Sequence, residues 1–189
     1  NGNVYGESLG SMTSAETRRL MEKNSARASM HTAHRRSSAD GDREKADLIK
    51  RCNLGTEKYR RNKEKQRAKT ETFINTEINR MLAAEKPAKI VITRPVTVNK
   101  TKLPSRSVNR NLTRSFTGYI RERLSYKCRL NAIELVEISS KGTGNVCSLC
   151  GAEGRRMPDG FYCPDCGFAA AISLNGAKNI ENKYIATRG

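Results

Sequence analysis

The chain has 189 residues, with 36 Lys or Arg against 19 Asp or Glu, so its formal net charge at pH 7 is +17. This charge exceeds what solubility requires and predicts a polyanionic partner. No apolar run approaches the ~20 residues of a membrane-spanning helix, and no charged-then-apolar leader is present, so we expect neither a membrane nor a secretory protein. The length suits one domain, or one domain with a small module.

The first predicted element is a short strand over residues 3–10, which ends at Gly10. Residues 15–47 are polar and basic, and their two histidines lie among arginines, which favours exposed side chains over metal ligands. Residues 43–84 are rich in helix formers, contain no proline and have one break, at Gly55, so we predict helix on both sides of it. Two apolar faces occur at helical spacing: Leu48, Ile49 and Cys52 form one, and Phe73, Ile74, Ile78, Met81 and Leu82 form the other.

Pro87 is expected to end the helix, and residues 89–93 then predict a buried strand. An irregular basic loop is predicted over 96–111. Further elements follow in order: a helix over about 112–128, a strand over 132–138 and a closing helix over 174–184. Strands that alternate with helices, with a small metal module near the end, predict an α/β fold.

Two Cys-x-x-Cys-Gly motifs lie between the last strand and the closing helix. Their cysteines are Cys147, Cys150, Cys163 and Cys166. This spacing predicts two knuckles that hold one structural Zn²⁺ ion, and it disfavours a pair of disulfides. Reduced, metal-binding cysteines suit the cytoplasm. The two isolated cysteines, Cys52 and Cys128, are predicted to be small core residues.

Four segments occur in an order that is typical of one family: residues 4–10, 89–94, 126–138 and 166–180. The last of them includes the run Ser-Leu-Asn-Gly-Ala-Lys-Asn-Ile at 173–180, which with the cysteine motifs is the most specific. In this order they resemble the RuvC-like nuclease part of the TnpB proteins of transposons and of the miniature type V CRISPR effectors. The resemblance implies an RNase H-like (RuvC) mixed sheet with flanking helices and an inserted zinc ribbon.

The resemblance also implies domain limits. These are a RuvC-like domain at 1–140, a four-cysteine zinc ribbon at 141–167 and a closing helix of the RuvC-like domain at 168–189. Full-size members of the family carry further domains before the RuvC part. We therefore expect the 189 residues to be a segment of a longer protein or to work with a separate subunit.

Members of the family hold two divalent ions with three carboxylates, one from each of three segments. The corresponding positions in this chain are Ser8, Thr93 and Ser173. Neutral hydroxyls are poor ligands for a hard cation such as Mg²⁺, and Glu7 would face the opposite side of a strand from Ser8. We therefore expect a degenerate nuclease site without catalytic Mg²⁺. Hydroxyl residues at all three positions favour natural loss over engineered substitution.

The partners implied by the resemblance are a guide RNA and a target DNA, which such proteins hold by backbone and shape. Distributed Lys and Arg suit phosphate contacts, whereas an aromatic content of 5% argues against a base-stacking surface. The candidate contacts are Arg60, Arg61, Lys63, Lys65, Lys100, Lys102, Arg106, Arg110, Arg155 and Arg156.

The function predicted from the sequence is RNA-guided DNA binding without cleavage, in transcriptional control or recruitment. A recruited protein or second effector subunit is a further expected partner, and the prokaryotic cytoplasm, at the nucleoid, is the expected location. Two alternatives stay open. One is an active RuvC-type endonuclease whose metal-binding acids lie elsewhere; the other is a guide-independent zinc-ribbon nucleic-acid-binding protein.

Overall fold

The computed structural model describes residues 2–94 and 116–187. The predicted basic loop at 96–111, with Lys100, Lys102, Arg106 and Arg110, lies outside the described residues. The chain divides into two compact units, one of residues 4–84 and one of residues 1–3 with 85–189. The domain limits predicted from the sequence stay a prediction.

The first unit is helical. It contains α1 (Ser8–Ala39), α2 (Arg43–Asn53) and most of α3 (Glu57–Glu85). The carboxylate of Asp42 caps α2 by accepting a hydrogen bond from the backbone N–H of Lys45, at 3.1 Å. The predicted break at Gly55 is confirmed, because α2 ends at Asn53 and α3 begins at Glu57.

The predicted strand over residues 3–10 is wrong. Residues 3–6 have no regular structure, and α1 begins at Ser8. A short apolar run forms a strand only beside a partner strand, and this segment contacts α3 instead. The backbone N–H of Gly6 donates to the carboxylate of Glu77 at 2.8 Å, and the guanidinium of Arg80 lies 5.2 Å from the ring centre of Tyr5.

One of the two predicted apolar faces is confirmed. In α3, Ile74 and Ile78 are buried, whereas Phe73, Met81 and Leu82 are half-buried. The face predicted in α2 is wrong, because Leu48 is 51% exposed and Cys52 is also exposed. The buried residue of α2 is Ala46, whose short side chain lets α2 lie close to α1.

The second unit has a two-stranded parallel sheet. Strand β1 (Lys89–Thr93) pairs with β2 (Glu134–Ile138), and Thr93 lies opposite Ile138. Helix α4 (Thr117–Leu130) packs on β2 and buries Leu124 and Cys128, which confirms the prediction for Cys128. Helix α5 (Ile172–Ala186) packs on β1. The described residues therefore have a mixed α/β architecture.

A second sheet connects β2 to α5. Its antiparallel strands are β3 (Arg155–Met157), β4 (Gly160–Tyr162) and β5 (Ala169–Ala170), in that order. The first cysteine motif precedes β3, and the second lies between β4 and β5. Among the described helices, none combines the length and the apolar character that crossing a membrane requires.

Candidate metal centre and nucleic-acid surfaces

The two cysteine motifs fold into knuckles with the same hydrogen bonds. In the first, the N–H of Cys147 donates to the carbonyl of Ala152 at 2.8 Å, and the N–H of Gly151 donates back to the carbonyl of Cys147 at 3.0 Å. The second repeats both bonds at the same distances, from Cys163 to Phe168 and from Gly167 to Cys163. Each turn needs a residue in the left-handed region, and the glycines supply φ values of +80° and +72°.

The knuckles bring all four predicted ligands together. Their sulfur atoms lie within 4.8 Å of one another. The Cys147–Cys166 and Cys150–Cys163 sulfur distances are 3.7 and 3.6 Å. Zn–S bonds of about 2.3 Å in a tetrahedron place sulfur atoms about 3.8 Å apart. The four side chains therefore fit one tetrahedral ion of the size and softness of Zn²⁺.

Backbone hydrogen bonds stabilise the thiolate form of Cys147. Burial acts to raise the pKa of the Cys147 thiol, but N–H groups of Cys150 and Leu149 donate to its sulfur, and its pKa falls to about 7. These donors favour the thiolate, the form that binds metal. The backbone N–H of Phe168 donates to the sulfur of Cys166, which acts to lower the pKa of that thiol. Neighbouring thiols and burial outweigh this effect and raise the pKa of Cys166 to about 12. Four clustered thiolates repel one another, so a dication is needed to deprotonate the set.

A small apolar core lies beneath the cysteines. Phe161 is 2% exposed and packs with Cys147 and Cys163, while Ala152, Phe168 and Ile172 flank them. Gly154 faces the ring so closely that a Cβ there would lie 2.1 Å from Cζ of Phe161. Phe161 is the one large side chain of this core that is fully buried, so a metal bound by the four cysteines would supply much of the folding free energy of the ribbon.

Three asparagines of α5 hold the first knuckle from outside. Asn175 is 1% exposed; its amide accepts a hydrogen bond from the N–H of Ser148 and donates to the carbonyl of Val146, both at 2.9 Å. Asn179 donates to the carbonyls of Val146 and Thr143, at 2.7 and 3.0 Å. Asn182 donates to the carbonyl of Ser148 at 2.9 Å. Their spacing of four and three residues places them on one helix face.

This supporting role was missed in the sequence analysis. Asn175 and Asn179 are part of the run at 173–180, but the motif itself does not name their partners. The signal available was two asparagines four residues apart in a helix, which predicts a polar contact along one face.

The three predicted degenerate catalytic positions lie on three different elements. Thr93 ends β1 with an exposed side chain, and Ser173 lies exposed in the first turn of α5. Ser8 lies in the first turn of α1, in the other unit, because the strand predicted there is absent. The correspondence of Ser8 to a strand-end carboxylate therefore loses its structural basis.

Two arginines occupy the carboxyl end of the parallel sheet. Arg121, from α4, donates a hydrogen bond from one terminal nitrogen to the carboxylate of Glu137 on β2 and another from its second terminal nitrogen to the carbonyl of Thr93. Arg94 continues the strand pairing, with its N–H on the carbonyl of Ile138 at 2.8 Å and its Nε on the carbonyl of Glu137 at 3.2 Å.

Six of the ten predicted nucleic-acid contacts are among the described residues, and they fall on two surfaces. The α3 surface comprises Arg60, Arg61, Lys63 and Lys65, all exposed, and the ribbon surface comprises Arg155 and Arg156, exposed on β3. Arg60 pairs with Glu57 at 3.1 Å in an exposed ion pair, which contributes little stability. The α3 surface and the ribbon surface belong to different units.

Comparisons with known proteins point to one family. Residues 118–180 match the protein-family model described as Cas12f1-like, TNB domain, a segment that includes β2 and all four cysteines. No curated protein sequence matches the chain.

A solved structure shares the fold. The chain resembles the cryo-EM structure of a Cas12f1–sgRNA–target DNA complex with a TM-score of 0.52 and 16% sequence identity. The match covers 78% of this chain and 43% of that one, so the chain spans less than half the length of this structural neighbour. The family match over residues 118–180 and the shared fold make the chain similar to the TnpB and miniature type V effector proteins, the family that its sequence motifs resemble.

Proposed function

We propose that the chain is the RuvC-like and zinc-ribbon part of an RNA-guided DNA-binding protein, and that it binds target DNA without cleaving it. The family match and the fold shared with a complex of sgRNA and target DNA support RNA guidance. The net charge of +17 supports a nucleic-acid partner, since neutralising phosphates requires many cations.

The residue types at the carboxyl end of β1 are the main support for the proposal that DNA is bound and not cut. The strand ends in the hydroxyl of Thr93, and the next residue is Arg94. Two-metal phosphodiester cleavage requires anionic oxygens that hold divalent cations. Ser173 likewise offers a hydroxyl at the start of α5. Because Ser8 lies in a helix, the proposal rests on Thr93 and Ser173.

The neighbouring strand does carry an acid. The carboxylate of Glu137, however, accepts a hydrogen bond from the guanidinium of Arg121. An adjacent guanidinium neutralises the carboxylate and repels a divalent cation. This arrangement supports the expectation that no catalytic Mg²⁺ binds here.

The exposed cations of α3 suit a phosphate backbone. Residues 57–69 contain seven Lys or Arg and two Glu. Arg61, Lys63 and Lys65 are all exposed, and long flexible cations on a solvent-facing helix can follow phosphates without reading bases. The ribbon surface, with Arg155 and Arg156, adds a second set of backbone contacts.

The proposed protein also has a bound metal, domain limits, a cellular role and further partners. We assign the four cysteines to one structural Zn²⁺ and divide the chain at 1–140, 141–167 and 168–189. The bound complex would act in transcriptional control or recruitment in the prokaryotic cytoplasm, at the nucleoid. A recruited protein or a second effector subunit would join it there.

The test is a guide-programmed assay on the complete protein, expressed with its neighbouring RNA. Binding and cleavage of a matched DNA duplex are scored in the presence of Mg²⁺, and the same guide on a scrambled duplex is the control. We expect retention of the matched duplex with no strand break.

Two other results would contradict the proposal. Cleavage of the matched duplex that Mg²⁺ removal abolishes would mean an active RuvC-type endonuclease whose acids lie elsewhere. Equal retention of matched and scrambled duplexes, with bulk RNA copurifying in place of one defined guide, would mean a guide-independent zinc-ribbon nucleic-acid-binding protein.

A further inference from the structure

The carboxyl end of the β1–β2 sheet is where a ligand of this fold is expected. Parallel strands direct their carboxyl ends to one edge, and ligands of open α/β sheets bind in the crevice outside that edge. Thr93 and Ile138 end the two strands opposite each other. The charges at this edge therefore decide which class of ligand the edge accepts.

Arg121 lies half-buried at this edge. Its side chain is 22% exposed and bridges two strands, through the carboxylate of Glu137 and the carbonyl of Thr93. A guanidinium is always charged and presents five donors in a fixed plane. Held in this way, Arg121 cancels the negative charge of Glu137 and occupies acceptors that a metal ion would otherwise use.

Arg94 stands at the surface of the same edge. Its backbone and its Nε are both anchored to β2, on the carbonyls of Ile138 and Glu137. Within residues 2–94 and 116–187, no acceptor is described for its two terminal nitrogens, which form the outer side of the guanidinium. An exposed guanidinium whose stem is fixed by hydrogen bonds suits bidentate binding of phosphate.

The side chains of Arg94, Arg121 and Glu137 together carry a net positive charge, since they comprise two guanidinium groups and one carboxylate. Such a site repels Mg²⁺ and attracts phosphate.

We infer that this edge binds a nucleic-acid phosphate directly, with Arg94 as the contact and Arg121 as the positioning residue that neutralises Glu137. The inference rests on the proposed function for the ligand being nucleic acid. The new element is the site itself, at which Arg94 contacts the phosphate backbone of the nucleic acid without a metal ion.

The test measures binding of a short RNA–DNA heteroduplex to the complete protein by fluorescence anisotropy, in EDTA and over a range of salt concentrations. No guide programming is needed, so the result is readable even if the guide-programmed assay fails. Arg94→Gln should weaken binding about five- to tenfold and lower the salt slope by about 0.7–0.9, the change expected for one lost phosphate contact. Arg129→Gln, an equal charge change at an exposed position late in α4, should leave both quantities unchanged.

A second arm locates the phosphate. A single neutral methylphosphonate is moved along the DNA strand and, separately, along the RNA strand. One position should weaken wild-type binding but not that of Arg94→Gln, and its strand identifies the source of the phosphate. If every position weakens both proteins equally, or if Arg94→Gln behaves as Arg129→Gln does, the site is refuted.

A third arm tests the role of Arg121. Arg121→Gln should weaken binding because Glu137 then faces the phosphate uncompensated, and adding Glu137→Gln should restore binding to within about twofold of wild type. Thermal unfolding of each variant establishes that folded proteins are compared. Failure of the double variant to recover, or Mn²⁺-induced broadening of the amide signals of residues 92–94 in wild type, would overturn the inference.

Discussion

Asn175, in the second turn of α5, accepts a hydrogen bond of 2.9 Å from the backbone N–H of Ser148, inside the first cysteine knuckle. The same amide donates to the carbonyl of Val146, so one side chain satisfies backbone groups on both sides of Cys147. The metal-binding turn and the closing helix are therefore joined by a buried polar contact, and a change in either should be felt by the other.

Asn175→Ala should destabilise the ribbon and α5 together. It leaves the half-buried N–H of Ser148 without its partner, at a cost of about 1–3 kcal/mol. Urea unfolding measures the loss. Asn182→Ala, which removes an exposed bond to the same knuckle, should cost less than about 1 kcal/mol; equal losses would contradict the distinction.

Loss of one metal ligand should unfold the ribbon. Cys147→Ser or Cys163→Ser should lower the zinc content, since three thiolates hold the ion less well, and should weaken nucleic-acid binding because the ribbon surface loses its support. Metal analysis and anisotropy check these results. Cys52→Ser, at an exposed cysteine outside the cluster, is the control. Full zinc occupancy in both ligand variants would refute the four-cysteine site.

Gly154→Ala should be strongly destabilising for a steric reason. The added methyl would lie 2.1 Å from Cζ of Phe161, so the ring must leave its buried position. We expect a loss of about 1–3 kcal/mol, the usual cost of overpacking. At Gly144 a Cβ would meet only a flexible arginine nitrogen, at 3.6 Å, and Gly144→Ala should be neutral by the same thermal unfolding measurement.

The contact between residues 4–6 and α3 should be sensitive to acid. The hydrogen bond from Arg80 and that from the N–H of Gly6 hold the pKa of Glu77 below its ordinary value of 4.5. A carboxyl with a lowered folded-state pKa contributes stability above pH 4.5 that is lost as the pH falls through the folded value. The amide NMR signal of Gly6 should therefore shift in that acid range. Glu77→Gln should abolish the shift, whereas Glu64→Gln, at an exposed position elsewhere in α3, should leave it intact.

The exposed cations of α3 should act together in nucleic-acid binding. Changing Arg61, Lys63 and Lys65 to Gln should weaken binding to all sequences alike and reduce the salt slope by up to about 3, because phosphate contacts do not read bases. Anisotropy at several salt concentrations measures both. Changing Arg18, Lys23 and Arg43, all exposed outside α3, removes the same charge and should leave the slope nearly unchanged.

The predictions that the structure confirmed depend on local chemistry. A Cys-x-x-Cys-Gly turn forms from its own residues, so its spacing alone predicted that Cys147 and Cys163 would share a site. The helix break at Gly55 and the end of α3 before Pro87 follow from backbone preferences of single residues. The strand at 89–93 was recognised because a short apolar run between a helix stop and a basic segment has few other structures.

What the tertiary structure decided depends on distant partners. Gly6 and Tyr5 contact Glu77 and Arg80, more than 70 positions away, and no local signal distinguishes their segment from a strand. Likewise, Ala46 of α2 is buried while Leu48 is exposed, because the close approach of α1 favours a small side chain over a more apolar one. Arg121 meets Glu137 only after α4 packs across β2. The sequence by itself thus determined the metal-binding turns and the main helices, whereas only packing decided which charges meet at the end of the sheet, since pairing between distant residues is set by the whole fold.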